Sequence, residues 1–121
     1  MKKTICLLAV LGVLAACGGG GDKKPKVVDI TQTDEYKKGW DVVKGSDCTT
    51  CHHIDDKLVG PAWRDVANKY AGQDTAVRYL AKKIKDGGSG VWGQVPMASH
   101  PNFTQEQAEA VAKYVLLLKT K

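Results

Sequence analysis

Residues 48–52 read Cys48-Thr49-Thr50-Cys51-His52, two thiols three positions apart with an imidazole directly after the second. This C-x-x-C-H unit is a haem attachment signal, and no other stretch restricts the fold as strongly. The two thiols can add across the vinyl groups on one porphyrin edge, giving thioethers. The histidine is then held beneath the ring, within reach of the iron. Covalent capture makes His52 an almost intramolecular ligand and prevents haem loss outside the cell. Other readings of the pair fit less well. A zinc site needs two further strong ligands, and His53 and His100 have the spacing of no common finger. A thioredoxin-like redox pair expects a βαβ setting. A disulfide closing so short a loop restrains little chain entropy.

The sixth iron position decides between electron transfer and chemistry at the metal. Met97 is the only methionine besides Met1, and it lies in Val95-Pro96-Met97, where Pro96 stiffens the approach. Most methionines fill cores. A lone one in a loop bounded by glycine and proline, in a chain committed to haem, is better read as a ligand. Its soft thioether would raise the reduction potential relative to a second imidazole. His100 as sixth ligand and an open sixth site are the other readings. An open site would make a haem enzyme or gas sensor, with His100 as the only candidate distal acid or base. His53 is expected to face solvent beside the attachment turn.

The chain's 121 residues suffice for one domain with a modest core. Its pI near 9 could suggest a nucleic-acid partner, but the charges are badly placed for one. Five of the 18 basic residues (Lys2, Lys3, Lys23, Lys24, Lys26) precede residue 27, leaving 13 basic against 12 acidic beyond it. A phosphate-binding surface needs a concentrated basic excess, so no nucleic-acid partner is expected.

The N-terminal segment reads as a leader. Met1-Lys2-Lys3 is followed by the apolar run from Ile5 to Ala16, too short to span a bilayer comfortably. Leu14-Ala15-Ala16-Cys17 resembles the lipobox of bacterial lipoproteins, which implies cleavage before Cys17 and lipidation of its thiol; an ordinary signal cut near Ala16 is the alternative. Residues 1–16 are thus the expected signal peptide. Residues 17–30, with glycine from Gly18 to Gly21, form an expected flexible tether spanning roughly 20 Å. Residues 31–121 form the domain. Gly18, in place of the aspartate that resembles an inner-membrane retention signal, favours the outer membrane, with the protein exported and facing the periplasm. Cys6 leaves with the signal and Cys17 goes to lipid, so Cys48 and Cys51 remain.

From Thr31 onward the pattern is helical, with no convincing strand. Thr33 caps a helix over 34–44 with Tyr36, Trp40 and Val43 on one stripe. Pro61 can open a second helix that carries Trp63, Val66, Ala67 and Tyr70 inward. A third spans about 75–85, with Ala76, Val77, Leu80, Ala81 and Ile84 on one side. The last begins at Thr104 with a capping-box pattern to Gln107 and buries Ala108, Val111, Val115 and Leu118. Residues 87–102 form a loop long enough to be functional, and it contains Trp92, Met97 and His100. The fold expected is a small all-α domain of about four helices.

Taken in order, Cys48-Thr-Thr-Cys51-His52, Lys57-Leu-Val-Gly60-Pro61-Ala-Trp63, Gly87-Gly-Ser-Gly-Val-Trp92-Gly93 and Pro96-Met97 resemble a class I c-type cytochrome, most nearly the small bacterial c551/c552 group. The resemblance spans about residues 31–119. It implies helices wrapped around one covalent haem c, with Cys48 and Cys51 as thioether links and His52 and Met97 as axial ligands. Pro61 would follow a turn whose carbonyl accepts from His52 Nδ1. Trp92 would donate its indole N–H to a haem propionate. Lys83 stands where relatives often place an arginine toward that propionate, a point charge in place of a fork. The first and last helices would cross at Trp40 or Gly39 and Tyr114. The implied role is single-electron transfer between redox protein partners through a small transient interface, as a monomer tethered to a membrane. Arg78, Lys82 and Lys85 share one side of the third helix and read more readily as a solvated face than as a guide for an acidic partner.

Overall fold

The Thr33 hydroxyl accepts from the Tyr36 N–H at 3.2 Å and starts the first helix, α1 (Asp34–Lys44), with Asp34 and Glu35 in its positive first turn. The computed structural model describes residues 28–120. The expected signal peptide, Cys17 and residues 17–27 of the tether lie outside the described residues. After α1 come α2 (Cys48–Cys51), α3 (Trp63–Tyr70), α4 (Ala76–Asp86), β1 (Gly88–Gly90), β2 (Gly93–Met97) and α5 (Gln105–Leu117). A 3-10 turn, Ile30–Gln32, precedes α1.

The last helix is the hub, packing against α1, α3 and α4. Its start carries the full capping box: the Thr104 hydroxyl accepts from the Gln107 N–H, and the Gln107 side chain accepts from the Thr104 N–H. Ala108, Val111, Ala112, Tyr114, Val115 and Leu118 are buried by this packing. The crossing with α1 is made at Gly39. A Cβ there would stand 2.3 Å from Tyr114 Cβ and 2.5 Å from the Ala110 carbonyl oxygen. Glycine inside a helix costs roughly 0.5–1 kcal/mol relative to alanine, and here it permits backbone contact that any side chain would block. The line Tyr36–Gly39–Val43 therefore faces α5, and Trp40 flanks it, 38% exposed with its ring 6.0 Å from that of Tyr114.

Pro61 does not open α3. Ala62 is extended (ψ 138°), and the helix begins at Trp63. The otherwise orphaned N–H groups of Trp63 and Arg64 donate to the carbonyls of His53 and Ile54, both at 2.9 Å. The loop after the attachment turn thus caps the helix and fixes where it starts. Arg64 continues the tie, donating to Asp55 at 2.5 Å and to the Leu118 carbonyl at 2.6 Å.

The long segment after α4 contains a strand pair that the sequence pattern does not announce. β1 and β2 pair antiparallel, with Gly88 opposite Met97 and Gly90 opposite Gly93, and an irregularity between the two pairs. Gly90 and Gly93 both have φ +116°, while Val91 and Trp92 between them keep negative φ. The glycines thus absorb the reversal that primed turns assign to central residues. No apolar alternation marks the pair because both strands are exposed except at Met97. The first of these strands is glycine and serine throughout. Pro96 is tolerated because a two-stranded ribbon has only edges.

Candidate haem site

α2 places Cys48 and Cys51 one turn apart, both half-buried. The Ser46 hydroxyl donates to Cys48 Sγ at 3.0 Å. The chain then turns out at His52 (φ −125°, ψ 135°). The His52 ring is held from three directions. Its Nδ1 is 2.8 Å from the Pro61 carbonyl oxygen, an acceptor, so Nδ1 carries the hydrogen and Nε2 keeps its lone pair. The Pro61 carbonyl itself, more than the turn before it, is the partner. A Cβ at Gly60 would lie 2.5 Å from the imidazole Cε1, so only glycine lets the loop close on the ring. Trp63 stacks on the ring at 5.8 Å between centroids and 15° between planes.

These groups open onto a cleft of about 500 Å³, within the roughly 300–1,000 Å³ of cofactor sites. Its wall combines the thiols and His52 with Met97 and with apolar side chains from the interior, including Leu80 and Val115. Tyr70 and Tyr79 also line it, with rings 5.3 Å apart. Burial, with Tyr79 beside it, pushes the Tyr70 hydroxyl up to about 12, so it stays neutral at physiological pH. A large apolar cleft with two thiols and a pre-oriented imidazole on its wall fits haem. The donor set of a zinc site is not assembled: among the described residues no three His, Cys, Asp or Glu side chains gather as a metal site requires, and His53 is exposed.

Met97 ends β2 and is half-buried at the cleft wall. Trp92 lines the same cleft, 40% exposed, with Lys69 Nζ 5.6 Å from its ring. Lys83 also lines it, half-buried, its Nζ 5.9 Å from the Tyr79 ring. His100 is otherwise engaged. Its Nε2 contacts Asp47 Oδ1 at 2.8 Å, and its Nδ1 lies 3.3 Å from the Ile84 carbonyl oxygen. Of the three basic residues on α4, Lys82 is tied to Asp86, Arg78 is exposed and Lys85 is half-buried, so they present no unpaired cluster. Sequence reasoning missed the Trp63 stack, the Gly60 contact and the Asp47–His100 pair. The first two sit in motifs already noticed; the last joins residues 53 apart and has no signal in spacing.

Comparison with known proteins agrees with this geometry. The cytochrome c family description matches residues 36–119. Cytochrome c-552 of Nitrosomonas europaea is 49% identical over 79 residues, covering 65% of this chain and 77% of that one. Cytochrome c-552 of Hydrogenobacter thermophilus is 51% identical over 78 residues, covering 64% and 79%. The crystal structure of wild-type Nitrosomonas europaea cytochrome c552 superposes with a TM-score of 0.63, covering 66% of this chain and 99% of that one. Cytochrome MtoD from Sideroxydans lithotrophicus, 21% identical with a TM-score of 0.58, shares the fold. With a cleft shaped for haem beside Cys48, Cys51 and His52, this chain belongs to the cytochrome c family, as a class I electron carrier with one covalently bound haem c.

Proposed function

We propose that the chain is a membrane-tethered single-electron carrier of a bacterial respiratory chain, with His52 and Met97 as the axial ligands of its haem iron. The observation that carries the ligation is the His52 tautomer. The Pro61 carbonyl engages Nδ1 and leaves Nε2 as the free donor on a cleft that Met97 also lines. When bound, the haem supplies a one-electron Fe(III)/Fe(II) couple.

The chain's own residues do the rest. Cys48 and Cys51 anchor the group through thioethers. Pro61, Gly60 and Trp63 hold the imidazole so that neither oxidation state requires it to move. Met97 offers a soft sulfur that favours ferrous iron. Trp92 and Lys83 stand at the cleft as hydrogen-bond donor and positive charge toward a propionate, with Lys83 giving one charge where a guanidinium would give a fork. Leu80, Val115 and the tyrosines keep water from the interior face. The engagement of His100 by Asp47 and Ile84 disfavours it as sixth ligand or distal base.

The tether reading rests on the lipobox-like Leu14–Cys17 and the glycines after it. Two or three acyl chains at Cys17 would hold the domain at a membrane, where one chain binds only marginally. Relatives of this kind are c-type cytochromes, generally exported to the periplasm, which supports the same side here; Gly18 points to the outer membrane. Partners are donor and acceptor redox proteins that dock briefly, and the carrier works as a monomer.

The deciding experiment is a visible spectrum of the holoprotein, before and after carbon monoxide is added to the reduced form. A ferric methionine–iron charge-transfer band and no carbon monoxide response at neutral pH are expected. Ready carbon monoxide binding without that band would replace the carrier with an enzyme or sensor. Detergent-phase partitioning that disappears in Cys17→Ala tests the tether.

A further inference from the structure

The segment that follows Met97 is fastened at His100, and the fastening reaches both sides of the cleft. The His100 N–H is shared between the carbonyls of Ile84 and Lys85, each at 3.1 Å, where α4 ends. Its Nδ1 faces the same Ile84 carbonyl, and its ring packs on Phe103 at 5.2 Å between centroids. Its Nε2 crosses to Asp47, the residue just before Cys48. The two partners differ in environment: the His100 side chain is 17% exposed, the Asp47 side chain 72%.

Asp47 occupies the N-cap of α2, where an aspartate ordinarily accepts from its own helix. Here its side chain makes no capping bond and turns to His100 instead. The hydrogen bond from His100 is the largest cause holding the Asp47 carboxyl below its usual range, followed by its own backbone N–H and the His100 charge. Between Met97 and His100 the backbone lies hard against Gly87. A Cβ on Gly87 would stand 2.4 Å from the Met97 carbonyl oxygen and 3.0 Å from the Ser99 nitrogen. Two contacts therefore locate the methionine segment: Gly87 below it, and His100 three residues on, bound to the helix that carries the thiols.

We infer that His100 is a positioning residue for Met97, latching the methionine-bearing segment to the Cys48–Cys51 helix through Asp47 so that the thioether stays at the iron. The inference rests on the His52/Met97 reading. Without the latch, residues 98–103 keep only the end of α4 and the packing of Phe103 on the core, and the methionine segment can move away from the attachment helix.

The test uses holoprotein and follows the ferric methionine–iron band as pH is raised from neutrality. A lost hydrogen bond to an exposed charged partner shifts the ligated-to-unligated ratio about threefold, so the midpoint for loss of the band should fall by about half a pH unit in His100→Ala. His100→Gln, which keeps one donor toward Asp47, should recover part of the shift. Asp47→Ala, at an exposed site with no capping bond to lose, should reproduce it without endangering the fold. Asn68→Ala is the control, since it weakens only the remote pairing with Thr120 and should leave the midpoint in place. Unmoved midpoints in both His100→Ala and Asp47→Ala, or an equal shift in Asn68→Ala, overturn the latch. Absence of the band in the unaltered protein would instead overturn the ligation reading, and the latch with it.

Discussion

Where α1 crosses α5, Val43 and Tyr114 have no exposed surface and Gly39 lets the backbones touch; in the ribbon of β1 and β2, every residue before Met97 is exposed. The crossing is held by burial, at about 25 cal/mol for each Å² of apolar surface withdrawn from water. The ribbon has almost none of that. Its shape comes from glycines at positive φ, from a short ladder, and from forming one wall of the cleft. One region is packed within the chain, and the other has almost no packing there and stands as a wall of the cleft.

The contrast can be broken from the strong side first. Tyr114→Ala, at a fully buried aromatic touching Tyr36, Trp40 and Trp63, should lower stability by about 3–5 kcal/mol in urea unfolding of the holoprotein. Gly39→Ala, which forces a methyl onto Tyr114 and the Ala110 carbonyl, should cost about 1–3 kcal/mol in the same measurement. Thr104→Ala removes half of the capping box and should cost about 1 kcal/mol. On the weak side, hydrogen exchange of the holoprotein should show residues 88–97 opening at a far lower free energy than the crossing. Val111–Val115 should stay the most protected. Equal protection of the two would abolish the contrast.

A small effect is expected on the acid limb. The carboxyls of Asp47, Asp55 and Asp86 lie below their usual value of 3.8, through hydrogen bonds from His100, Arg64 and Lys82 respectively. A lowered folded-state pKa adds stability that is complete above about 3.8 and is lost as pH falls through the folded value. All three are exposed, so the slope is shallow, and Asp55→Asn should flatten it further in urea unfolding below about pH 4.

The same contrast governs what could be read from the amino acids. The helices were legible because their burial repeats at helical spacing and their ends carry recognisable caps; Thr33, Thr104 and Gln107 announce α1 and α5 in the sequence itself. The C-x-x-C-H unit was legible for a chemical reason, since few other tasks need two thiols and an imidazole at that spacing. The ribbon was hidden because its sides face solvent or the cofactor, so no alternation is selected in the chain. The start of α3 was misplaced at Pro61 because its caps are carbonyls of residues 53 and 54, which no side-chain pattern reveals. Of the two residues offered for the crossing, Gly39 sits at the closest approach and Trp40 packs on Tyr114 beside it, a distinction that a missing side chain cannot signal. The Asp47–His100 pair depends on the tertiary fold alone.

Tyr114 also carries the only buried side-chain polar atom left without a partner among the described residues, its hydroxyl. Burial, with Tyr36 beside it, keeps that hydroxyl protonated far above the ordinary tyrosine range. Tyr114→Phe should therefore unfold at the same urea concentration or slightly higher.

The Gly60 contact has a thermodynamic consequence of its own. An imidazole on a mobile loop would have to give up its rotational freedom when it meets the metal, and that loss would weaken the bond it forms. Here the ring is confined by the Gly60 backbone, the Pro61 carbonyl and the Trp63 indole as the polypeptide folds. The entropy of immobilising His52 is thus charged to folding, and under the proposed ligation the iron would meet a ligand with little freedom left to lose.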